Sequence, residues 1–60
     1  MEATQTAIET AIEEVRDLIT MEEARIEAEG YNKVKDAHKM RTFRDVYDLL
    51  VKAELRLASL

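Results

Sequence analysis

The chain has 60 residues, 9 basic and 13 acidic, for a formal charge of −4, with one Gly, one His and no Pro, Cys or Trp. That composition excludes a disulfide framework, cysteine-based metal sites and glycine-rich phosphate loops, and it points to an all-α fold. No apolar run approaches ~18 residues and no basic-then-apolar leader opens the chain, so neither a membrane span nor a signal peptide is expected, and a cytoplasmic location follows as the expectation.

The first predicted element is a helix from about residue 4 to residue 29. Thr6-Ala7-Ile8-Glu9 fits a capping box, although Thr10-Ala11-Ile12-Glu13 repeats the same pattern one turn later. Placed at 100° per residue, Ile8, Ile12, Val15, Ile19 and Ile26 form one apolar stripe, and Ala7, Ala11 and Leu18 form a second beside it. Glu22 interrupts the apolar arc between them. The opposite face carries Glu2, Glu9, Glu13, Arg16, Asp17, Thr20 and Glu27.

A turn is expected at residues 30–32. Gly30 can take the left-handed conformation that ends a helix, with Tyr31 closing over Ile26 behind it. Asn32 is a good N-cap, because its side-chain oxygen can accept an orphan backbone N–H. A second helix then runs from about residue 33 to residue 59. Phe43, Val46, Leu50, Ala53, Leu57 and Leu60 form its primary stripe, and Met40, Tyr47, Val51, Leu55 and Ala58 a second one.

An antiparallel hairpin pairs residues whose numbers add up to about 62, by the ordinary helical rise. This register sets Ile19 by Phe43, Val15 by Val46 and Tyr47, and Ile12 by Leu50, so the two primary stripes meet. The secondary stripes are left for another surface. Of the 28 apolar residues 8 are Ala, and the 20 larger ones are more than one helix pair can absorb. A chain this short also lacks the core that sustains larger domains. The expected architecture is therefore a single-domain two-helix hairpin assembling as a four-helix-bundle homodimer, with a higher oligomer or a different protein as alternatives. Its expected interface comprises Ala7, Ala11, Leu18, Glu22, Met40, Arg44, Tyr47, Val51, Leu55 and Ala58. Glu22 stands out within it, as either a carboxylate at the arc's edge or the partner of Arg44 from another chain.

Charge divides between the halves. Residues 1–30 hold 9 acidic and 2 basic side chains, net −7, and residues 31–60 hold 4 acidic and 7 basic, net +3. The bases Lys33, Lys35, Lys39, Arg41 and Arg44 admit a nucleic-acid reading, and small helical-hairpin dimers that bind RNA share this architecture without a common motif. The bases scatter around the helix, however, and the acidic half would repel phosphates. Glu13, Glu14 and Asp17, with Asp45 and Asp48, are similar in spacing to the acid pairs of magnesium-dependent all-helical nucleotide pyrophosphatases. They fall on polar arcs, where magnesium would need converging oxygens. His38 lacks a second metal ligand at helical spacing. No catalytic, cofactor-binding or metal-binding residue is expected. The sequence reads as a small non-catalytic accessory protein, of a size that suits a phage or plasmid, acting through itself and another protein.

Overall fold

A computed structural model describes residues 2–60. It contains two helices that pack against each other, α1 over Glu2–Glu29 and α2 over Lys35–Ala58. Both are longer than the roughly 11–12 residues of an average helix, and neither contains a Gly or Pro to interrupt it. No helix among the described residues is long and apolar enough to cross a membrane.

The bend lies where the single glycine stands. The Gly30 N–H donates to the Ile26 carbonyl at 2.7 Å, completing the last helical turn, and its φ of +95° then reverses the chain. Nothing lies within 4 Å of where a Cβ would stand, so dihedral strain alone demands glycine here. Tyr31, expected to close over Ile26, keeps more than half its surface in water.

Asn32 caps α2 from three residues ahead of its first hydrogen-bonded residue. Its Oδ1 accepts the backbone N–H groups of Val34 and Lys35, both at 3.0 Å, while its carbonyl accepts the N–H of Asp36 at 2.9 Å. In return Asp36 Oδ2 accepts the Asn32 N–H at 2.7 Å. This exchange satisfies orphan donors reciprocally, as a capping box does. Val34 already has helical dihedrals, so the helical path starts ahead of Lys35 and close to the expected boundary. At the far end Ser59 and Leu60 donate to Arg56 and Leu57, three residues back, which tightens the last turn.

The hairpin is one layer of two rods, with Cα extents of 43 × 16 × 11 Å. Its radius of gyration, 13.9 Å, exceeds the roughly 10 Å of a compact domain of this length. Ile12, 6% exposed, is the only buried apolar residue among those described. Along α1 the half-buried apolar positions are Ile8, Val15, Ile19 and Ile26 of the primary stripe together with Ala11 of the second, and Gln5, Glu22 and Arg25 are half-buried beside them.

On α2 the contact face differs from expectation. It combines Phe43, Leu50 and Leu57 of the primary stripe with Met40, Tyr47 and Val51 of the second, all half-buried. Val46, from the primary stripe, is exposed, and so is Leu60. The helix is rotated so that its contact line runs between the two stripes. The cause is at the turn, where Asp36 rather than an apolar residue is drawn under α1 and fixes the rotation.

Gly30→Ala should destabilise the hairpin by about 1 kcal/mol, and Gly30→Val by more, although the site is sterically open. Gly30→Asn should cost less than either, because Asn tolerates positive φ. Thermal melts check the order; equal stability of the Val and Gly chains would contradict the left-handed stop.

Candidate interaction surface

The turn is held by ionic contacts as well as backbone geometry. Arg25 projects from the end of α1 into three carboxylates. Its Nε donates to Glu22 Oε2 at 3.0 Å, one Nη to Glu29 Oε2 at 3.3 Å, and the other Nη to Asp36 Oδ1. Glu22 Oε1 in turn accepts from Lys39 Nζ at 2.8 Å. Two of these pairs, Arg25–Asp36 and Glu22–Lys39, cross between the helices and fit the expected register of about 62 within one residue. Glu22 thus pairs with Arg25 and Lys39 of its own chain, and Arg44 stays exposed.

Asp36 is only 4% exposed, and both its oxygens are used. The Asn32 N–H, aided by the Arg25 guanidinium, holds its pKa below the ordinary aspartate value against the opposing effect of burial. Lys39, followed by Arg25, does the same for Glu22. Arg25 is held firmly in its charged form by Glu22 and Asp36. Asp36 also lies in the first turn of α2, where a negative charge opposes the positive end of the helix dipole.

One observed concavity gives the hairpin a front and a back. On one side a shallow concavity brings Glu9, Glu13 and Arg16 of α1 beside Tyr47, Val51 and Glu54 of α2. This is the charged edge of α1, so Val51 marks the α2 edge that shares its side. The opposite side must then carry the other two edges, a quarter-turn away on each helix. On α1 these are Ala7, Leu18 and Met21; on α2 they are Val46, Leu49 and Ala53. Except for half-buried Ala53, all are exposed, with Met21 at 67% and Leu49 at 65%. The front is the more apolar side, with Arg56 beside Leu49 and Ala53, and the back is charged.

The expected interface residues are divided between these surfaces. Ala7 and Leu18 stand on the apolar side, with half-buried Ala11 at its inner margin. Met40, Tyr47 and Val51 are half-buried against α1, while Leu55 and Ala58 are exposed, Leu55 in a shallow concavity with Leu49 and Ala53 on the outer surface of α2. Sequence reasoning missed Met21, Leu49, Arg25 and Asp36. The first two fall outside every stripe drawn from the chain. The Arg25–Asp36 pair was accessible, since the register sets the two residues side by side.

Lys33, Lys35, Lys39, Arg41 and Arg44 are all exposed, but they point around the helix and Lys39 is engaged by Glu22. Glu13, Glu14, Asp17, Asp45 and Asp48 are exposed too, and among the described residues no three metal-ligating side chains converge. His38 is exposed near the turn, where Thr42 Oγ1 donates to its carbonyl at 2.9 Å.

The lowered carboxylate values give a signed pH dependence. Unfolded Asp and Glu titrate near about 4. Asp36 and Glu22 titrate lower when folded, so their contribution is complete above that range and is lost as the pH falls through their folded values. The melting temperature should hold between about pH 5 and 7 and drop below about pH 4. Asp36→Asn should lower it by several degrees at neutral pH and flatten the acid limb. Arg25→Ala combined with Asp36→Ala should cost clearly less than the two single changes summed; additive costs would show the pair to be uncoupled.

The chain matches no family model, and neither a curated protein nor a solved structure is significantly similar to it.

Proposed function

We propose that this chain is a non-catalytic, self-associating helical hairpin of the cytoplasm that acts through protein–protein contacts, as an adaptor, inhibitor or assembly component. Surface area carries the reading. A compact monomer of 6.9 kDa exposes about 4,000 Å², whereas this hairpin exposes 4918 Å². The excess, roughly 900 Å², is close to the ~800 Å² that each partner contributes to a standard interface. One buried apolar residue supports the same reading, because isolated hairpins of this size lack the hydrophobic gain that offsets chain entropy.

The polar features fit a contact protein better than an enzyme. Its strongest ionic cluster closes the turn, with every carboxylate in it occupied by a donor. Most of the remaining charges lie on open surface, away from the burial that would tune their reactivity.

Sedimentation equilibrium at high micromolar concentration should return at least twice the chain mass of 6.9 kDa. The mass should decline towards the monomer on dilution, in step with helicity. A stable, fully helical monomer at every concentration would contradict self-association.

A further inference from the structure

We infer that the apolar side receives a second copy of this chain, with α1 of each copy lying over α2 of the other about a two-fold axis parallel to the helices. The inference rests on the self-association reading and adds to it the face and the arrangement. Three observations carry it.

The first is the segregation of apolar surface. Leu18, Met21, Val46 and Leu49 are 40–67% exposed and occupy one side of a single-layer hairpin. The other side carries Glu9, Glu13 and Arg16 next to Val51 and Glu54. Stacking through the first side dries mainly leucine, methionine and valine, with Arg56 at its rim, whereas stacking through the second would desolvate Glu9, Glu13, Arg16 and Glu54 at a greater cost.

The second is shape. A two-fold axis along the helices leaves each residue at its own level. The partner's α2 therefore meets α1 in the register already seen within the hairpin. Ala7 then lies level with the partner's stretch from Ala53 to Leu57, and Leu18 with the stretch from Phe43 to Val46. At the open end Ala7 and Ala11 of α1 come level with the Ala53 end of α2, and these small residues let the two layers approach.

The third is charge, and it selects the arrangement. Residues 1–30 are net −7 and residues 31–60 net +3. Stacking α1 on the partner's α1 would set −7 beside −7. Stacking α1 on the partner's α2 alternates acidic and basic rods around the bundle, so every neighbouring pair is of opposite sign. A different protein carrying an apolar helix pair could cover the same side, but the charge match is already supplied by this chain.

The absence of cysteine from the chain makes cross-linking a clean test. Leu18→Cys and Val46→Cys are made as separate chains, both at exposed positions that spare the contact between α1 and α2. An equimolar mixture, oxidised at a concentration where the native chain sediments as an oligomer, should give predominantly the mixed disulfide. Each variant alone should stay mostly reduced, because like positions lie diagonally across the bundle. Charged substitutions provide a second arm. Val46→Lys with Leu49→Lys should weaken the dimer at least tenfold, while Thr20→Lys, exposed on the charged edge of α1, should leave it unchanged. An oligomer with no preference for the mixed disulfide, or one indifferent to the Val46 and Leu49 changes, would overturn the arrangement while leaving self-association standing. A native chain that sediments only as a monomer would overturn both.

Discussion

Two parallel cylinders touch along one narrow strip, and this geometric limit governs everything else in the molecule. Each helix can dry a single stripe against the other, whatever the number of apolar residues it carries. Here that stripe is largely Ile on α1 and mixed aromatic, Met and aliphatic on α2, and among the described residues it buries a single apolar one, Ile12. The remaining apolar side chains cannot be reached by a better turn or a better register. A second layer is the physical remedy, and the surplus surface is about the size that such a layer covers.

Within that limit, the turn decides which strip is used. Gly30 reverses the chain, Asn32 and Asp36 cap the new helix, and Arg25 ties Asp36 back to α1. These contacts are polar and directional, so they fix rotation about the helix axis in a way that interchangeable apolar contacts do not. Drawing Asp36 inward turns Met40 and Tyr47 towards α1 and leaves Val46 and Leu49 outside. A charged residue near the bend thereby selects the apolar residues left exposed further along. The opposite end has no such cluster among the described residues, and its last turn is already of the tighter three-residue type.

The elements were readable from the chain because their signals are local. One Gly, one Asn and unbroken helix-forming segments mark both helices and the turn, and the spacing of Ile8, Ile12, Val15 and Ile19 marks the buried side of α1. The face of α2 was not readable in the same way. Its apolar residues cover well over half the circumference, so periodicity alone leaves its rotation open, and two candidate stripes stood a quarter-turn apart. What resolves it is a tertiary ion pair, Arg25–Asp36, between residues that a hydrophobicity pattern treats as solvent-facing. Glu22 shows the same lesson. Its break in the apolar arc was visible, but its partners were Arg25 and Lys39 of the same chain, each placed by the hairpin register.

The central claim is that the folded hairpin and its association form one equilibrium, since the single layer lacks a core of its own. Hydrogen exchange across a dilution series tests this most directly, because amide protection reports the free energy of opening segment by segment. The account predicts that protection along Val46–Leu57 of α2 falls as the chain is diluted from high to low micromolar concentration, following mass action. Protection that stays high and identical at every concentration would show a self-sufficient monomer and contradict it.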